Sequence, residues 1–170
     1  MYLTPPKGYK NKKFKAESEE SDSIYLTLDE LEKIHNFSPT FEDLRLITKE
    51  IREHNLKRKL EVIIHDKNAF LIGTFTLQRV SDYSRIKDFN FQRDFIRYKS
   101  IKGSSKNDDI VVPRHWIITE IIESGFDFNK PTYDQKINAN IKDVGRMLGF
   151  NTPTPITMTE GGQQGQRIYP

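Results

Sequence analysis

Apolar positions first become regular after residue 24. Thr27-Leu28-Asp29-Glu30 has the S/T-x-x-E form, in which the threonine hydroxyl accepts from the N3 amide and the glutamate reaches back to the cap residue. It predicts a short helix from Leu28 to about Asn36, with Leu28, Leu31 and Ile34 on one face and Glu30, Glu32 and Lys33 toward solvent. Phe37 to Phe41, with Pro39 inside, ends that helix. Leu44, Ile47, Ile51 and Leu56 then recur at helical spacings and predict an amphipathic helix from Asp43 to Leu60. A second helical stretch, Glu61 to Leu77, carries so few polar positions near its C-terminal end (Ala69, Phe70, Ile72, Gly73, Phe75) that burial on most sides is expected. Ser81-Asp82 offers a cap for a further short helix through Arg85.

The pattern changes from Phe89 to Val112. Phe95-Ile-Arg-Tyr-Lys-Ser-Ile101 and Ile110-Val-Val112 are rich in strand formers, and Gly103 to Asp109 between them is turn chemistry, so a β-hairpin is predicted, with Phe89 and Phe91 supplying a short third strand. After Pro113, the residues Trp116, Ile117, Ile118, Ile121 and Ile122 form an apolar helical face that ends at Gly125, and Trp116 is assigned to the core. Ile137, Ile141, Val144 and Leu148 mark a last helix, about Tyr133 to Leu148, ending at Gly149. Thr152 to Pro170 is rich in proline and glycine and reads as loop, with Tyr169 an ordinary loop tyrosine. The expected fold class is α+β and mainly helical: a helical bundle with a small antiparallel three-stranded sheet. Residues 1–23, with Lys7, Lys10, Lys12, Lys13 and Lys15 followed by Glu17, Glu19, Glu20 and Asp22, read as a charged linker or arm, and residues 24–170 as one partial domain.

Composition narrows the chemistry. The 170 residues contain 27 Lys plus Arg against 24 Asp plus Glu, a net charge of +3, which is a mild bias toward an anionic partner and no more. Without cysteine there is no disulfide framework, no thiolate metal site and no cysteine nucleophile. His35, His54, His65 and His115 lack a spacing that would put two ligands on one helical face, so neither a metal site nor a cofactor is expected. No apolar run is long enough for a signal-peptide core or a membrane span, and the chain is read as soluble, cytoplasmic and without a membrane partner.

One segment stands out: Phe70-Leu-Ile-Gly-Thr-Phe-Thr-Leu-Gln-Arg-Val-Ser-Asp-Tyr-Ser-Arg-Ile86 sets Arg79 between an almost wholly apolar helix and a capped new one. A guanidinium fixed at such a junction presents a planar fork that two phosphate oxygens match. An arginine near a helix C-terminus is also favoured simply by the macrodipole. The arrangement of apolar helix, Gly73-x-x-Thr76-x-x-Arg79-x-Ser81-Asp82 resembles the first box of tyrosine-type site-specific DNA recombinases (integrases), which commonly reads T-G-L-R-x-S-E/D. Leu77 and Gln78 stand where that family usually has glycine and a bulky apolar residue. The resemblance extends over roughly residues 24–170, through the Tyr25–Leu31 leader, the Arg79 box, a hairpin closing on Pro113 and two helices.

The resemblance implies the front portion of a recombinase catalytic domain. Arg79 would be its first catalytic arginine on the scissile phosphate, with Asp82 a supporting acidic partner. A turn lysine that protonates the leaving oxygen would be Lys102, with Lys106 as the alternative. The family's later His/Lys-x-x-Arg box and its nucleophilic tyrosine, which forms a 3′-phosphotyrosine, do not follow the hairpin; His115 lies too early and is followed three residues on by Ile118. The implied partners are double-stranded DNA, at the nucleoid, and other protomers of the same recombinase. A noncatalytic DNA-binding or regulatory remnant of the same fold is the alternative. A helical scaffold in which the match at Arg79 is accidental is the third possibility, distinguished by binding that survives loss of Arg79 and of both Lys102 and Lys106.

Overall fold

The computed structural model describes residues 25–48, 52–87, 90–99, 109–131, 133–150, 152–160 and 163–169. These divide between a mainly helical unit, Leu26–Asn151, and a second unit that contains the last two strands.

In the helical unit, α1 (Leu28–Asn36) follows the capping box as predicted: Glu30 N–H donates to the Thr27 hydroxyl at 3.3 Å, and Thr27 N–H donates to the Glu30 carboxylate at 2.8 Å. A second capping box, Thr40 with Asp43 at N3, starts α2 (Phe41–Ile47). The helix expected over Asp43–Leu60 is therefore two helices. α2 stops at Thr48, whose backbone is extended, and α3 begins at Glu53. The break lets α2 and the start of α3 both pack on the same partner, α6, a constraint that local spacing cannot express. The boundary expected near Leu60 is absent, because Glu53 to Ile72 contains neither glycine nor proline and the helix propagates unbroken to Thr76.

α3 (Glu53–Thr76) is the spine of this unit. α1, α2, α4 (Val80–Tyr83), α5 (Trp116–Glu123) and α6 (Asp134–Met147) all pack against it, which explains why its sequence is apolar on so many sides. Ile63, Leu71 and Ile72 are buried there beside Ile34, Leu44, Ile117, Ile118, Ile137 and Val144 from the surrounding helices. α5 and α6 end where Gly125 (φ 84°) and Gly149 (φ 74°) follow them, and both glycines occupy the left-handed region that stops a helix. Trp116, expected in the core, is 46% exposed. It is the first residue of α5, and the buried stripe falls on Ile117, Ile118 and Ile121 instead.

β1 (Phe95–Tyr98) and β2 (Ile110–Pro113) pair antiparallel, with Ile96 opposite Val112 and Tyr98 opposite Ile110, which is the predicted hairpin. Alternation along β1 sends Ile96 and Tyr98 inward and Arg97 outward. The third strand reduces to one isolated bridge, Phe91 to Ile96, and Phe89 lies outside the described residues.

Thr152–Pro170 contradicts the loop expectation. β3 (Thr154–Glu160) and β4 (Gln163–Tyr169) form a seven-pair antiparallel hairpin, from Thr154 opposite Tyr169 to Glu160 opposite Gln163. Gly161-Gly162 is a two-residue spacer of the kind hairpins use, and Pro155 is compatible with a strand that has an open edge. Tyr169 accordingly belongs to a strand. Glycine and proline here punctuate strands instead of abolishing them.

Candidate nucleic-acid interface

Arg79 sits between α3 and α4, and the backbone around it is fixed from both directions. On the α3 side, Gln78 N–H donates to the Gly73 carbonyl at 3.1 Å and Leu77 N–H to the Thr74 carbonyl at 3.2 Å, the paired bonds of a Schellman termination. Leu77 takes the left-handed conformation that this termination requires, at φ 55°, ψ 32°. It occupies the box position where the recombinase motif has glycine, and it is 89% exposed, so nothing is gained from its side chain. On the other side, the Arg79 carbonyl accepts from Asp82 N–H at 2.8 Å and from Tyr83 N–H at 3.0 Å, which starts α4. The cap of this helix is therefore the Arg79 backbone, and Ser81 and Asp82, expected as caps, lie inside the helix.

Gly73 is the other structural part of the motif. A Cβ placed on it would lie 2.4 Å from Cε1 of the buried Tyr83 ring, so only glycine lets α4 close onto α3 at this distance. Thr76, also in the motif, is buried and spends its hydroxyl on the Ile72 carbonyl at 2.7 Å. Three motif residues thus build the junction, and Arg79 is what the junction displays. Its side chain is exposed and has no ion-pair partner among the described residues.

Asp82 points the other way in the energetic sense: it is 5% exposed and sits close enough to Tyr98 on β1 for its charge to act on the phenol. Burial, reinforced by that carboxylate, pushes the Tyr98 hydroxyl up to about 12. Asp82 and Tyr98 line an open cleft between α4 and β1 together with Arg85, Gln92, Arg97 and Lys99. Arg97 is partly neutralised by Asp109 at 3.7 Å, and both are substantially exposed. Lys102 and Lys106 both lie outside the described residues, between the two strands of this hairpin.

His115 acts as the N-cap of α5. Its Nδ1 accepts from Ile117 N–H at 3.3 Å and its ring stacks on Phe75 at 4.1 Å. Among the described residues no group of three or more His, Asp or Glu side chains is placed to hold a metal ion, and no helix is long and apolar enough to cross a membrane.

Of the cleft residues, Asp82 stands in the Arg79 box, whereas Tyr98 is not singled out by the sequence because it reads there only as a strand former. The alternation Ile96-Arg97-Tyr98 would have given its inward direction, but not the hydroxyl's neighbours. Comparison with known proteins adds no relative: no protein-family model, no curated protein and no solved structure matches the chain.

Proposed function

We propose that this chain is the arginine-bearing front part of a tyrosine-type DNA recombinase catalytic domain, and that these 170 residues hold a phosphodiester of double-stranded DNA. The observation that carries the reading is Arg79: an exposed guanidinium, without an ion-pair partner among the described residues, on a backbone fixed by a Schellman termination before it and two helix-starting hydrogen bonds after it. Fixing the backbone lowers the entropy that a phosphate contact must overcome, and a guanidinium fork offers two parallel bonds to phosphate oxygens. The β1–β2 hairpin, whose Tyr98 shares a cleft with Asp82, is the element that, by the motif resemblance, would carry Lys102 or Lys106 toward the DNA. In the parent activity Arg79 would stabilise charge on the nonbridging oxygens while a tyrosine attacks phosphorus. No residue of the sequence is identified as that nucleophile, so phosphate holding, and not strand cleavage, is proposed for this chain.

The test is fluorescence anisotropy of a labelled duplex over a salt series. Wild-type protein is expected to bind with an affinity that falls steeply with salt. Arg79→Ala should weaken binding about tenfold and reduce the salt slope by about one, and Arg79→Lys should recover only part of the loss because the fork is gone. Salt-dependent binding that is identical in wild type and Arg79→Ala would overturn the assignment. On a nicked suicide duplex no covalent protein–DNA adduct is expected.

A further inference from the structure

Buried hydroxyls almost always have a hydrogen-bond partner, because leaving one unpaired costs its desolvation without return. Among the described residues, two buried side-chain polar atoms lack one, His35 Nδ1 and the Tyr98 hydroxyl. His35 is already bound through Nε2 to Glu120 at 2.8 Å, and its ring is covered by the edge of Trp116. Tyr98 makes no such bond. Its ring is 6% exposed, yet it lines the open cleft between α4 and β1.

The rest of that cleft has a defined chemistry. Arg85, Arg97 and Lys99 supply three cations against the carboxylates of Asp82 and Asp109, and Arg97 is the one paired with Asp109. Arg85 and Lys99 are both exposed. An unpartnered buried hydroxyl and exposed cations lining one cleft are the groups an oxyanion seat needs.

We propose that this cleft takes the anionic oxygens of a phosphate group, the Tyr98 hydroxyl donating to them and Arg85 and Lys99 flanking it. The inference rests on the reading of Arg79 as a phosphodiester contact and extends it: on duplex DNA the cleft holds a backbone phosphate other than the one at Arg79. The phenol stays protonated through the neutral range, as burial and Asp82 require, and so stays a donor. Asp82, one residue before the Tyr83 that Gly73 admits against α3, ties the cleft to the Arg79 junction.

Tyr98→Phe is the discriminating variant, because it keeps the buried ring and removes only the hydroxyl. It should weaken duplex binding about tenfold, the scale of one hydrogen bond to a charged group, while leaving the salt slope unchanged, since no charge is lost. Its melting temperature should equal or exceed that of wild type, because the atom removed had no partner in the protein. Arg85→Gln should weaken binding and also flatten the slope. Titration with inorganic phosphate, followed by amide NMR, should shift the Tyr98 and Lys99 signals in wild type and not in Tyr98→Phe. Unchanged duplex and phosphate binding by Tyr98→Phe overturns the proposal, as does a lowered melting temperature. Loss of binding in Arg79→Ala with none in Tyr98→Phe leaves the DNA reading standing and removes the cleft. Phosphate shifts at Tyr98 without any duplex binding retain the cleft as a phosphate seat and remove the DNA reading.

Discussion

Between α3 and α6, Asn140 donates to the Asp66 carboxylate at 2.6 Å and accepts from Lys59 Nζ at 2.7 Å, while His65 approaches Asp66 at 3.5 Å and the Asp127 carbonyl at 3.1 Å. Asp66, Asn140 and His65 are all nearly inaccessible to solvent, and none of their buried polar atoms is left without a hydrogen bond. Beside α4 the terms are reversed: Tyr98 is as deeply buried, its hydroxyl has no partner, and the neighbouring cations face an open cleft. Both regions take polar groups out of water. The first recovers the desolvation cost inside the protein and so holds two helices together; the second does not recover it within the described residues.

The contrast can be broken most directly at Asp66. Asp66→Ala removes the acceptor of Asn140 and leaves the amide stranded, and should cost about 3 kcal/mol of stability in a denaturant melt. The folded fraction should keep the duplex affinity of wild type, whereas Tyr98→Phe should show the opposite pair of effects. Equal destabilisation by the two variants would erase the distinction.

A second buried group sharpens it through pH. Lys67 donates to the His35 and Phe37 carbonyls, both at 2.8 Å, and so satisfies the end of α1. Burial nevertheless holds its ammonium down at about 8 against an ordinary 10.5. The unfolded chain therefore binds more protons at this site between those values, and stability should rise as pH climbs from 8 toward 10.5. Tyr83 and Tyr98, held up at about 12 against an ordinary 10, act in the opposite sense, because above pH 10 the unfolded phenols ionise first. The clean window is pH 8 to 10, and Lys67→Met should flatten the rise there.

The smallest effect is expected at Leu77. A left-handed leucine costs roughly 1–2 kcal/mol, and glycine gives part of that back through the unfolded state, so Leu77→Gly should raise stability by up to about 1 kcal/mol. Its exposed side chain offers no compensating loss. A lower melting temperature would mean that Leu77 makes contacts that its exposure does not indicate.

Much of this was legible from single residues. The Thr27/Glu30 box, the stops at Gly125 and Gly149 and the Phe95–Pro113 hairpin are local matters, decided within a few residues by capping geometry, φ or side-chain alternation. The Arg79 junction was legible as a junction, since an apolar helix had to end before Ser81-Asp82. The division of Asp43–Leu60 was not, although Thr40 and Asp43 spell a second capping box. The hairpin at 154–169 was obscured by counting prolines and glycines without asking which strand positions tolerate them.

What the sequence by itself determined is the capped start of α1, the glycine stops after α5 and α6, the alternation along β1 and the junction that displays Arg79, because helix ends and strand faces follow from short-range sterics and hydrogen bonding. The tertiary structure alone decided which polar groups are satisfied. Asp66 meets Asn140 across 74 positions of sequence, and the Tyr98 hydroxyl, within the influence of Asp82, makes no hydrogen bond among the described residues. Hydrogen-bond satisfaction is a property of packed neighbours, and nothing in the local pattern around a tyrosine states whether its hydroxyl will find one.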